Sequence, residues 1–316
     1  MKTFFNAIVA ATILTLSAAS ISAQEKVNPK YVDLCQIDSI TYAGITRQYA
    51  LYQPKDENGN IKKNLPLVIW NHGGGEYNVP IRRTLLANRG VVAWPEEGFE
   101  CVVLMIQVAN ENYSYMASQD EEKMKLIDRN NALQAEIIRR LIERGDVDES
   151  RVYVTGASSG GGATMRFVMQ FPELVKAAIP CCPMDPIVLI TKNTVDDYAT
   201  ICNKLEQSFR GTVWTWSEAK QDMVRKPLNT QAFLDVPLYF VHAINDLTVS
   251  VNTSKAYFEV MERMGDTNNK ITLWSDEEMI ADGIAVDKVK WLTHFSWEKL
   301  LKHHEPGSPM HWLFEQ

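Results

Sequence analysis

Ser158 stands in Gly156-Ala-Ser158-Ser-Gly160, between a β-branched and aromatic run, Val152 to Thr155, and a helical pattern through Met165, Phe167, Val168 and Phe171. The pattern stops before Pro172, which cannot extend a helix. A G-x-S-x-G at a strand-to-helix turn is the context of a nucleophile elbow. Side chains at 156 or 160 would collide with a neighbouring strand or helix as the chain reverses. The reversal is expected to hold Ser158 strained and exposed at a helix N-terminus, whose dipole favours developing negative charge. A glycine-rich turn that cradles a phosphate is the competing explanation. It lacks the lysine of a P-loop and the G-x-G-x-x-G of a dinucleotide site.

A serine becomes nucleophilic only beside a base, and the base needs an orienting group. Nucleophiles on such elbows are followed in the chain first by the acid and then by the histidine. Asp246, in Asn245-Asp-Leu-Thr-Val249 after a strand ending at Val241-His242, occupies the place expected of the acid. Asp185, after the preceding strand, is the alternative, whereas Asp276 and Asp282 read as solvated loop charges. Among six histidines, His294 lies in Trp291-Leu-Thr-His-Phe-Ser-Trp297, flanked by aromatics that can exclude water. His311, on a terminal helix, is the other candidate base. His72 and His242 read as residues that order backbone, and His303 and His304 as surface.

His72-Gly73-Gly74-Gly75 follows the apolar strand Leu65 to Trp70. Without side chains in the way, the N–H groups of Gly74 and Gly75 can converge on a carbonyl oxygen. The N–H of Ser159, directly after the nucleophile, would complete an oxyanion hole. A merely tight turn is the plainer alternative.

These residues must be carried by strands that end together. Ile37 to Tyr42 and Thr46 to Tyr52 read as a hairpin turning at Ala43-Gly44. Residues 65–70, 99–108, 152–155, 175–179, 236–241 and 270–274 read as buried strands. Helices are expected over 120–144, 250–264 and 309–314, the first with Met124, Ile127, Leu133, Ile137, Ile138 and Leu141 on its core face. The expected fold is α/β: a doubly wound, mostly parallel sheet with an antiparallel N-terminal hairpin. Ligands bind such sheets at the strand carboxyl ends, where His72, Ser158, Asp246 and His294 all fall. Residues 184–235 interrupt the alternation with Tyr198, Phe209, Trp214, Trp216 and Met223, and read as helical pieces forming a cap or lid, or simply as core of the insertion.

Lys2, the apolar run from Phe4 to Ala19 and Ile21-Ser-Ala23 read as a cleavable signal peptide, residues 1–23, leaving a domain over 24–316 that works secreted or in the periplasm; an uncleaved N-terminal anchor is the alternative. No later segment is apolar enough to span a bilayer. The chain has 316 residues and a formal net charge of −7, which argues against a nucleic-acid footprint. Five cysteines leave at least one unpaired. They form no C-x-x-C or Cys/His cluster, so no metal is expected, and no cofactor is implied.

Gly156-Ala-Ser-Ser-Gly-Gly161, the H-G-G-G loop, Val236-Pro-Leu-Tyr-Phe-Val-His242 with Asp246, and His294-Phe-Ser-Trp297 resemble the α/β-hydrolase superfamily. More narrowly, they resemble secreted esterases of the polyhydroxybutyrate-depolymerase, feruloyl and acetyl-xylan esterase group, and prolyl-oligopeptidase-like domains. The resemblance covers most of residues 35–316. It implies a serine carboxylic-ester hydrolase acting on a small-molecule or polysaccharide-linked ester, acetyl or feruloyl. A serine peptidase on the same residues and an inactive binding protein on the same fold remain open. Ala243-Ile244 departs from the glycine usual after the strand-end histidine, and the 184–235 segment matches no part of the pattern. Oligomeric state is not legible.

Overall fold

A computed structural model describes residues 29–108, 121–184, 197–266, 268–284 and 293–316. Strands β1 (Gln36–Tyr42) and β2 (Ile45–Tyr52) form the expected hairpin, with Ala43 and Gly44 at φ 50° and 74°. This is the left-handed backbone that two-residue hairpin turns require. β3 (Leu65–Asn71), β4 (Val102–Ile106), β5 (Val147–Ala157) and β6 (Ala177–Cys181) follow. Among the described residues β7 (Thr212–Ser217) and β8 (Asp222–Pro227) pair only with each other, and β9 (Tyr239–Ala243) and β10 (Lys270–Trp274) follow.

Among the described residues the main sheet has eight strands in the order β1-β2-β4-β3-β5-β6-β9-β10. It is parallel from β4 onward, and β2 joins β4 antiparallel. β3, β4 and β6 are buried along their whole length, as their unbroken apolar runs imply for strands covered on both faces. Alternate residues feed two cores: Val152 and Val154 of β5 join one, Tyr153 and Ala157 the other.

The helices are α1 (Pro29–Leu34), α2 (Ile81–Ala87), α3 (Ala93–Glu96), α4 (Glu121–Glu143), α5 (Ser159–Gln170), α6 (Tyr198–Phe209), α7 (Thr230–Leu234), α8 (Asn252–Arg263), α9 (Asp276–Ala281), α10 (Ser296–Leu300) and α11 (Pro309–Phe314). α4, α5 and α8 cover one face of the sheet. α2, α3, α10 and α11 cover the other. The alternation of strand and helix thus yields the doubly wound α/β sheet expected from the sequence.

The 184–235 segment contains the expected helical pieces, α6 and α7, but also strands that the sequence did not suggest. Between α6 and α7 it forms the β7–β8 hairpin. That hairpin is fastened to the helical layer: the Asp128 carboxylate of α4 accepts the Trp214 N–H at 2.8 Å, and the Gln170 amide of α5 donates to the Trp214 carbonyl at 2.6 Å. Lys125 and Arg225 both stand over the Trp214 ring, at 4.5 and 4.9 Å. Phe209 packs on Phe233 and Tyr257, so this aromatic belongs to core. Among the described residues, no hydrogen bond or ring contact of 198–234 reaches Ser158, Asp246 or His294. Residues 1–28, with the expected signal peptide, and 185–196, with Asp185, lie outside the described residues. No helix among the described residues is long and apolar enough to cross a membrane.

Candidate active site

β5 delivers Ser158 onto a turn with φ 59° and ψ −118°, a conformation that costs a non-glycine residue on the order of 1–3 kcal/mol. The surrounding structure imposes it. The Ser158 N–H donates to the Cys181 carbonyl of β6 at 3.0 Å, and the Ser158 carbonyl accepts from Gly162 and Met184. A Cβ at Gly156 would lie 2.6 Å from the Asn71 carbonyl oxygen, and one at Gly160 only 1.9 Å from the same atom. Both glycines are therefore demanded by the approach of α5 to β3, as the motif requires. Ser158 is not open to solvent as expected: it is 8% exposed.

His294 lies two residues before α10, its imidazole edge-on to the Trp297 indole at 5.3 Å between ring centres. Its Nε2 is 2.9 Å from Ser158 Oγ and its Nδ1 2.7 Å from Asp246 Oδ2. The ionised Asp246 can only accept, so Nδ1 carries the proton and Nε2 presents a lone pair to the serine hydroxyl. Asp246 Oδ1 accepts the N–H groups of Thr248 and Val249 at 2.8 and 2.9 Å. Oδ2 takes a second histidine, His242 Nε2, at 3.1 Å, while His242 Nδ1 meets the Ser254 hydroxyl at 2.8 Å. The acid is thus held by four N–H donors in a buried position.

Charge follows from this geometry. Burial works to raise the Asp246 pKa, but the His294 charge and the hydrogen bonds from His242 and His294 outweigh it and hold the carboxyl well below the usual range. For His294 burial works downward, and the Asp246 carboxylate more than offsets it, leaving the imidazole raised to about 9. Cys182 Sγ, Asp246 and His294 could all offer ligand atoms within 4.8 Å of one another. Burial, however, raises the Cys182 thiol well above 9, which disfavours the thiolate a metal would take. All five cysteines are free thiols.

The His72-Gly-Gly-Gly75 loop crosses beside the elbow. A Cβ at Gly74 would lie 3.0 Å from Ser159 Oγ. The N–H groups of Gly74, Gly75 and Ser159 have no intramolecular acceptor among the described residues, whereas Gly73 N–H donates to Glu76 Oε2 at 2.7 Å. His72 is buried, its Nε2 accepting the Val108 N–H at 3.0 Å and its Nδ1 donating to the Gly73 carbonyl at 2.9 Å. Burial lowers its pKa to about 4, so it stays neutral and orders backbone, as its place in the sequence suggests.

The remaining candidates are not brought to this site. His311 pairs with Glu315 on α11, and His303 with Asp282 and Glu305. Asp276 takes the Asn245 side chain at 3.0 Å, and Asp282 binds Lys299. His242 as a direct partner of Asp246 was legible only as a His four residues before the acid at a strand end, a spacing that also suits backbone ordering.

Residues 125–283 match the model of the prolyl oligopeptidase family, about half of the chain. The chain belongs to the prolyl oligopeptidase family. Solved structures extend the likeness of this family member to most of its length. A thermostable esterase superposes with a TM-score of 0.63 at 24% identity, over 91% of this chain and 64% of that one. A ferulic acid esterase gives 0.51 at 13% identity, over 76% and 89%. A carboxylesterase from Lactobacillus plantarum gives 0.51 at 15%, over 89% and 97%. At these identities the likeness is one of fold, the α/β-hydrolase fold, and the chain spans under two thirds of the thermostable esterase. No curated protein is significantly similar in sequence.

Proposed function

We propose that this member of the family is a serine hydrolase that cleaves carboxylic esters through an acyl-enzyme. The reading is carried by one observation: Ser158 Oγ on a strained elbow, 2.9 Å from His294 Nε2, with Asp246 2.7 Å behind the imidazole. His294 Nε2 takes the hydroxyl proton as Ser158 Oγ bonds to the acyl carbon. The tetrahedral intermediate expels the alcohol, which leaves with the proton returned by His294. Water, deprotonated by the same nitrogen, then attacks the acyl-serine and releases the acid. Asp246 fixes the tautomer and offsets the imidazolium charge. The N–H groups of Gly74, Gly75 and Ser159 hold the oxyanion, each contributing roughly 3 kcal/mol to lowering the barrier.

Small acyl esters, acetyl or feruloyl groups on polysaccharide, are the proposed substrates. The resemblance to esterases of that group supports this, and a ferulic acid esterase shares the fold. Export by residues 1–23 places the enzyme where such polymers occur, with no nucleic acid, membrane or cofactor required. The family match favours a second reading, a serine peptidase using the same three residues. Kinetics on p-nitrophenyl acetate, methyl ferulate and a proline-containing peptide separate the two. Ester turnover abolished by Ser158→Ala supports the first. Peptide cleavage without ester turnover supports the second, and turnover of neither class by pure protein overturns both.

A further inference from the structure

Three consecutive glycines carry no side chains of their own, so neighbours must fix their backbone. In residues 73–75 the fixing groups are few. His72, clamped by the Val108 N–H, holds the Gly73 carbonyl at 2.9 Å. Gln107 Nε2 donates to the Glu76 carbonyl at 2.8 Å and holds the loop's far end. Between these two pins a single side chain engages an N–H of the glycine run among the described residues: Glu76 Oε2 accepts from Gly73 at 2.7 Å.

The Glu76 side chain is 14% exposed and is itself held from behind. Asn88 stands beside its carboxyl group and accepts the Gly90 N–H at 2.8 Å. Burial, opposed by the Gly73 and Asn88 hydrogen bonds, raises its pKa to about 7. Its ionisable neighbour, His72 at 4.0 Å, is neutral there. A carboxyl group kept where it is poorly solvated, closed on one amide of a glycine loop, selects which amides stay unengaged: with Gly73 taken, those of Gly74 and Gly75 remain.

We propose that Glu76 is the positioning residue of the oxyanion loop, closing on the Gly73 N–H to hold the glycines in the backbone form that presents Gly74 and Gly75 to the reacting carbonyl oxygen. The inference rests on the ester-hydrolase reading. It also separates acceptor geometry from charge, because a glutamine can accept the same N–H without ionising.

Glu76→Gln and Glu76→Met have nearly the same length and differ in whether they can accept that bond. Steady-state kinetics on p-nitrophenyl acetate, with thermal melting of each variant, test the assignment. E76Q should keep kcat within about 3-fold of the parent. E76M should lose about 10–100-fold in kcat with KM within about 3-fold, less than the roughly 10²–10³-fold that outright loss of one oxyanion donor costs. Should E76M not fold, Glu76→Ala, which cannot overfill the site, takes its place in the comparison. Equal loss in the glutamine and the non-accepting variant, no loss in either, or a loss confined to KM overturns the assignment. If the parent itself turns over no ester, the hydrolase reading fails and not the loop assignment alone.

Discussion

Asp246→Asn isolates what the acid does, because the four N–H groups around it leave an amide no satisfactory orientation. If the Asn carbonyl faces Thr248 and Val249, its NH₂ faces His242 and His294. His294 must then accept at Nδ1, its proton moves to Nε2, and Ser158 faces a donor instead of a base. If the amide is turned over, its NH₂ opposes two backbone N–H groups, that of Val249 buried and that of Thr248 partly buried. Each orphaned donor costs about 1–3 kcal/mol, roughly 2–6 kcal/mol for the pair. The unproductive orientation is favoured by that amount, less the smaller cost of re-pairing His242 through Ser254. With about 1.4 kcal/mol per tenfold change, kcat should fall by more than about 10-fold and up to about 10⁴-fold with KM little altered. The assay is steady-state hydrolysis of p-nitrophenyl acetate by parent and D246N, with circular dichroism showing both folded. A folded D246N retaining kcat within about tenfold of the parent would refute the proposed orienting role.

Further outcomes follow from the same geometry. Since His294 works as a base only when neutral and its pKa is raised to about 9, kcat/KM should climb with pH through a midpoint above the ordinary 6.5; a limb centred at or below about 6.5 would contradict the Asp246 pairing. Gly160→Ala puts a methyl 1.9 Å from the Asn71 carbonyl, a backbone contact no rotamer can relieve, so it should destabilise by at least the 1–3 kcal/mol typical of overpacking (order of magnitude); an unchanged melting temperature would contradict the close approach. Arg166 grips the buried Asp128 through two bonds of 2.6 Å, so Arg166→Met strands a buried carboxylate and should cost about 3–5 kcal/mol in urea unfolding, against a null result if the pair were exposed.

Legibility tracked how local each cause was. The elbow is written in five residues, and its glycines answer to the close approach of Asn71. Strands β3, β4 and β6 were visible because burial on both faces demands unbroken apolar runs. The β7–β8 hairpin was not: Thr212-Val-Trp-Thr-Trp-Ser217 alternates as a strand should, but the turn before Gln221 carries no glycine, proline or asparagine. Its partner strand is largely charged, and Gln221 adopts φ 50° without the usual residue for it. Asp246 and His294 were found by order along the chain. That His242 shares the same carboxylate depends on β9 and the turn at 244–249 folding back on one another, which no spacing encodes. The role of Glu76 was hidden for a similar reason: its partner is an amide three residues earlier, and only the loop's closure brings the two together.

Hydrolysis at this site requires that His294 make Ser158 nucleophilic. Treating the folded protein with a fluorophosphonate and mapping the adduct by peptide mass spectrometry tests this directly. Stoichiometric modification of Ser158, absent in Ser158→Ala and strongly slowed in His294→Ala, is the expected result. No adduct, or one on another residue while Ser158 stays unmodified, would contradict it.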